Sequence, residues 1–236
     1  MKKIKLSLLF LAISGFLACS KPTGTSNPKP LKPALVVILG SSTAAGIGAN
    51  PLDSAWAYRI QLMVNMYGTK AKFINLAVEG YTIYHAMPNG YSVVNRPIPD
   101  TAANISKALS LKPSLVILSF PSNDIGNNYT STEIMHNYSV ISRMLDSAKV
   151  QYIILGDQPR DFPTYNQRYR EKTLNDSIKN VFTIHVNDFF SQLSTDTYMI
   201  KPIYGAGDGI HLNNSGHALI MNATLSHPIF KTVVHY

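Results

Sequence analysis

The chain has 236 residues, of which 45% are hydrophobic and only 14% charged, which is enough for one domain with a sizeable core and too apolar for a disordered chain. Its single cysteine excludes an internal disulfide framework. The formal net charge is +8, and beyond the first five residues the Lys and Arg are scattered with no basic run, which argues for a solvated surface and against a nucleic-acid footprint.

Lys2, Lys3 and Lys5 precede a largely apolar stretch from Leu8 to Ala18 that is short for a membrane-spanning helix. This layout predicts a signal peptide over residues 1–18. Cys19 follows Phe16-Leu17-Ala18 directly, an arrangement that resembles a bacterial lipoprotein box. That resemblance implies an acylated Cys19 and a lipid-anchored protein of the bacterial cell envelope, on a periplasmic or cell-surface face. Simple secretion and an uncleaved anchor are the alternatives. Cleavage takes three lysines and no acid from the +8, leaving +5. Residues 19–33 are rich in Ser, Thr, Pro and Lys with little to bury, so they read as a flexible tether. The folded domain is expected over 34–236.

From Ala34 onward, short apolar runs alternate with helix-compatible stretches. Strands are expected at Leu35–Leu39, Lys72–Leu76, Leu115–Ser119, Gln151–Leu155 and Val181–His185. Their near-continuous apolarity suits a parallel sheet covered on both faces. Between them, Asp53 is expected to cap a helix reaching Met66, and Asp100 another reaching Ser110. Thr130 with Glu133 forms a capping box for a helix to about Ala148. Thr164–Lys179 is helix-compatible, and Asn213 is expected to cap a last helix through Thr224. Alternation of this kind predicts a three-layer α/β/α sandwich with a central parallel sheet. In the flavodoxin-like strand order 2-1-3-4-5, the loops after the first three strands meet at one place. Those loops hold Ser42, Gly80 and Asn123.

The first loop, Gly40 to Gly46, has neither the lysine of a P-loop nor the GxGxxG spacing of a dinucleotide site. What remains is Ser42, just after a buried strand and flanked by small residues; on its own it could equally be a turn or cap. Near the other end stands Asp208-Gly209-Ile210-His211. A serine hydroxyl needs a base to take its proton, and that base needs a third group to hold it. Asp and His three residues apart can bond within one turn. No HExxH or Cys/His ligand set competes for His211 as a metal site. Asn75 to Gly80 and Pro121 to Asp124 add a glycine and an asparagine, each beyond an expected strand. Such donors can stabilise an oxyanion.

Together these four segments resemble the SGNH (GDSL-like) hydrolase family, over nearly the whole of the expected domain. The family's Ser, Gly, Asn and His fall on Ser42, Gly80, Asn123 and His211, with Asp208 at its Asp-x-x-His aspartate. Ser41 stands where the family carries an aspartate, and Pro121 replaces a glycine. The resemblance implies a serine esterase with Ser42 as nucleophile and Asp208 and His211 completing the triad. The Ser42 N–H, Gly80 and Asn123 would then form the oxyanion hole. It implies no metal and no organic cofactor. The expected substrate is a small-molecule or carbohydrate ester, with carbohydrate O-deacetylation favoured. A lipolytic or thioester hydrolase, or a non-catalytic glycan-binding lipoprotein on the same scaffold, are the alternatives.

Other residues read more quietly. His217 is expected to pack or lie at the surface, and Trp56 and Tyr58 are expected in the core. Tyr81 to Arg96 could line a sugar cleft or form a solvated loop. Gln158-Pro159-Arg160 could position a substrate.

Overall fold

The computed structural model describes residues 32–236, apart from 69, 70 and 121, and within it Pro33–Tyr236 forms one compact unit. The signal peptide, Cys19 and nearly all of the tether lie outside the described residues, as does Pro121.

Five strands pair in the order β2-β1-β3-β4-β5, all parallel. They are β1 (Leu35–Gly40), β2 (Lys72–Asn75), β3 (Leu115–Ser119), β4 (Gln151–Leu155) and β5 (Val186–Asn187). In chain order the helices are α1 (Ser42–Ala45), α2 (Trp56–Met66), α3 (Ile105–Ser110), α4 (Asn123–Gly126) and α5 (Ser131–Ser147). They continue with α6 (Tyr165–Phe182), α7 (Phe190–Leu193), α8 (Asn214–Ser226) and α9 (Pro228–Val234).

The pleat sorts each strand's side chains between two cores. Val37 and Leu39 of β1 pack with Ile105 of α3, with Ile134 and Ile141 of α5, and with Leu174 and Ile178 of α6. Val36 and Ile38 face the other way, onto Trp56 and Ile60 of α2, Ile220 of α8 and Phe230 of α9. Every β3 residue is buried, as a strand covered on both faces requires. Truncating Ile117 or Leu118 to Ala would cost about 2–5 kcal/mol.

The structure corrects several local expectations. Val181 and Phe182 end α6, where Phe182 turns into the core, and β5 begins only at Val186. Asp53 sits inside a 3₁₀ turn (Leu52–Ser54) and does not cap α2, whose N-cap is Ala55. Asp100 does not cap α3 either. Its carboxylate accepts the Tyr81 hydroxyl at 2.6 Å, and the Asn104 side chain caps the helix by accepting the Lys107 N–H. The Thr130–Glu133 capping box and the Asn213 cap are both present. Trp56 is buried, whereas Tyr58 is 48% exposed.

Candidate active site

The carboxyl ends of β1 and β3 lie side by side, with Gly40 paired to Ser119 and the Ser41 N–H donating to the Ser119 carbonyl at 3.0 Å. The chain turns at once into α1, so Ser42 becomes that helix's first residue. Backbone and side-chain bonds hold this short helix, beginning with the Ala45 N–H on the Ser41 carbonyl. Gly46 and Ile47 donate their N–H groups to the Ser42 carbonyl, and the Asn75 side chain donates to the Ala44 carbonyl at 2.7 Å. Ser41 is 2% exposed and Ser42 7%.

Beyond β2, the Val78 N–H donates to the Gly40 carbonyl, which sets the next turn against the end of β1. Gly80 lies in that turn with φ +78°, and a Cβ there would meet nothing within 4 Å. The left-handed backbone, not lack of space, is what favours glycine. Asn123, the first residue of α4, donates from Nδ2 to the Tyr81 carbonyl at 3.0 Å, and Arg160 Nη1 donates to its Oδ1 at 3.4 Å. These two contacts orient the amide, and a primary amide carries a second N–H. The carboxyl of the neighbouring Asp124 accepts the Ile83 N–H at 3.1 Å. Asp124 is fully buried, and burial outweighs its backbone bonds, pushing its pKa up to about 8. Asn123 and Asp124 therefore grip the chain just after Gly80 at two points.

The Asp208–His211 turn is bonded throughout. Asp208 Oδ1 accepts the N–H groups of Ile210 and His211, both at 2.8 Å, while Oδ2 lies 2.6 Å from His211 Nδ1. Burial pushes the Asp208 carboxyl up, but the His211 N–H, the His211 ring and the Ile210 N–H together pull it down to about 2. An ionised carboxylate can only accept, so the proton between the two lies on His211 Nδ1.

The turn lies against the segment after α1. A Cβ on Gly48 would fall 2.2 Å from the Leu212 carbonyl oxygen and 3.0 Å from His211 Cβ. Gln158 links the same turn to α1 itself, accepting the Thr43 hydroxyl and donating to the Ile210 carbonyl, both at 2.7 Å. The structure thus brings Ser42's helix to the His211 turn, and Asn123 to the Gly80 turn.

His217 is fully buried in α8. Its Nδ1 accepts the Trp56 N–H at 3.3 Å and its Nε2 faces the Ile47 carbonyl at 3.1 Å. Burial holds its pKa down at about 4, so it is a neutral packing group. Residues 81–96 are anchored to the fold at several points, while Ser92 to Asn95 stay exposed. Tyr84 and Arg96 both bond Glu133 of α5, Tyr91 bonds Asn137, and Tyr81 stacks on His85 at 4.1 Å. Gln158 is buried with both ends of its amide engaged by protein, not facing a substrate. Sequence reasoning gave Thr43 and Asn75 no supporting role, because their partners Gln158 and Ala44 stand far from them in the chain.

The sequence profile of the GDSL-like lipase/acylhydrolase family matches residues 38–219. The chain belongs to this family. No curated protein matches it. Among solved structures, a psychrotrophic esterase EstA from Pseudoalteromonas sp., inhibited by monoethylphosphonate, superposes with a TM-score of 0.57 at 15% identity. The match covers 82% of this chain and 96% of that one. An acetyl xylan esterase, AlAXEase, gives 0.62 at 14% identity, covering 81% and 98%. A two-domain esterase active on acetylated mannans gives 0.54 at 15% identity, covering 86% and 50%. At these identities the likeness is one of fold. The family makes this chain an ester hydrolase of the GDSL type, and its parallel sheet has the strand order 2-1-3-4-5 expected of the SGNH hydrolase fold.

Proposed function

We propose that the chain is a serine esterase whose preferred reaction is the O-deacetylation of a carbohydrate. The observation that carries the catalytic reading is the 2.6 Å contact between Asp208 and His211, with Asp208 held ionised. In this reading His211 Nε2 takes the proton of Ser42 as Ser42 Oγ attacks the ester carbonyl carbon. The oxyanion is met by the N–H groups of Ser42 and Gly80 and by Asn123 Nδ2. The imidazolium, stabilised by Asp208, gives its proton to the departing alcohol oxygen as the C–O bond breaks. Water then attacks the acyl carbon as His211 takes its proton, and the carboxylic acid leaves as the acyl–Oγ bond breaks and His211 returns that proton to Ser42 Oγ.

The carbohydrate preference draws on the fold neighbours whose substrates are acetylated xylan and acetylated mannans. The envelope location draws on the lysines, the apolar run and Cys19 of the sequence. A mature lipoprotein's several acyl chains would hold the enzyme stably at a membrane. Cys19→Ser should then shift it out of the membrane fraction, and unchanged fractionation without fatty-acid labelling would contradict the anchor.

The test of function compares p-nitrophenyl acetate, butyrate and longer esters with acetylated xylo-oligosaccharides, using wild type and Ser42→Ala. Turnover is expected to be greatest on acetyl esters and lost in Ser42→Ala. Rates that rise with acyl length would instead indicate a lipolytic enzyme. Glycan binding without any turnover would indicate a non-catalytic scaffold.

A further inference from the structure

We propose that Gln158 is the positioning residue that sets His211 against Ser42, an inference that rests on the serine-esterase reading above.

The need for such a residue follows from the topology. Ser42 follows β1, whereas Gln158 follows β4, and β3 lies between those strands. The His211 turn belongs to no strand; it precedes α8. No strand ladder therefore joins nucleophile and base; Gly48 packs on Leu212 and Asn50 exchanges two bonds with Asn214 beyond the turn, which leaves Gln158 as the side chain that bonds the immediate neighbours of both reacting residues. Gln158 does so from a buried position, 3% exposed. Its Oε1 accepts the hydroxyl of Thr43, the neighbour of Ser42, and its Nε2 donates to the carbonyl of Ile210, the neighbour of His211. The amide cannot turn over without loss, because the Ile210 carbonyl can only accept. The residues that follow reach the other parts of the same site. Arg160 Nη1 contacts Asn123, and the Asp161 N–H donates to the Gly209 carbonyl at 2.8 Å.

A buried glutamine can also be no more than a satisfied polar group, and the variants are chosen to separate that role from positioning. Gln158→Leu removes both bonds at similar volume. It is expected to lower kcat roughly 10–100-fold with KM little changed, since small misplacements of reacting groups act on the chemical step. Gln158→Glu keeps the shape and the acceptor for Thr43. It can bond the Ile210 carbonyl only while protonated, and burial favours the protonated form. Its kcat relative to wild type should therefore fall as pH rises, whereas the ratio for Gln158→Leu should stay level. Thr43→Val, which leaves Gln158 in place, should give the same kcat-limited loss if Gln158→Leu does not fold. Adding Gln158→Leu to Thr43→Val should cost less than the two losses combined.

Loss of activity in step with the folded fraction would overturn the proposal. So would a pH-independent ratio for Gln158→Glu, or kcat values that match wild type. Hydrogen exchange of the Ile210 and His211 amides reads the clamp without turnover and is expected to quicken in Gln158→Leu; unchanged exchange would count against it. Wild type that neither turns over esters nor labels at Ser42 would instead overturn the esterase reading, with the exchange result still bearing on the clamp.

Discussion

His211 Nδ1 lies 2.6 Å from Asp208 Oδ2, and the same carboxylate holds His211's own backbone N–H through its other oxygen. Ring and backbone of one residue are thus anchored to one side chain. Asp208→Asn would place an amide where the carboxylate is and allow the wrong ring tautomer. The expected result is a fall in kcat of roughly 10²–10⁴-fold with a folded protein. A loss below about tenfold would remove Asp208 from the triad.

The pH dependence follows from the same pair. Asp208 titrates at about 2, below its ordinary value, so its stabilising contribution is present above the usual carboxylate range and lost only as pH falls toward 2. The acid limb of kcat/KM should therefore report protonation of the base, His211 Nε2, and not of Asp208. A rate that stays level until pH falls toward 2, where Asp208 titrates, would contradict His211 as the base.

Asn123 is held at both ends of its amide, by the Tyr81 carbonyl and by Arg160. If its remaining N–H meets the oxyanion, Asn123→Ala should lower kcat by roughly 10²–10³-fold and leave KM nearly unchanged. An effect confined to KM would make it an ordinary binding contact.

Behind the site, both carboxyl oxygens of Asp157 are buried without a hydrogen-bond partner among the described residues. Burial first, and the nearby Asp124 charge second, push its pKa well above the carboxylate range. The folded chain then keeps a proton that the unfolded chain has lost, so this group lowers stability as pH rises above the carboxylate range. Asp157→Asn should raise the Tm relative to wild type at about pH 9 and much less at about pH 5. An equal shift at both, or a lower Tm at the alkaline pH, would contradict the assignment.

The fold was legible where one physical signal dominated. Leu115 to Ser119 is apolar throughout because both faces of that strand are covered. Thr130 with Glu133 marks a helix start by local bonds alone. Legibility failed where tertiary contacts overrode local chemistry. Asp100 looks like a cap, but its carboxylate is taken by Tyr81, and Val181-Phe182 looks like a strand but is the buried end of a helix. The two-residue β5 is too short to show a pattern. In the site, Asp208 and His211 could be read together because they are three residues apart. Gln158 could not be assigned its partners, since Thr43 and Ile210 stand far from it in the chain.

The central claim is that Ser42, not the adjacent Ser41, forms the acyl-enzyme. The measurement is mass spectrometry of the chain after labelling with a fluorophosphonate. Ser41 is the residue before α1, bonded through its N–H to Ser119, while Ser42 begins the helix beside the Gln158 link to the His211 turn. The adduct is expected on Ser42 in wild type and in Ser41→Ala, and absent from Ser42→Ala. An adduct on Ser41, or full labelling of Ser42→Ala, would contradict the account.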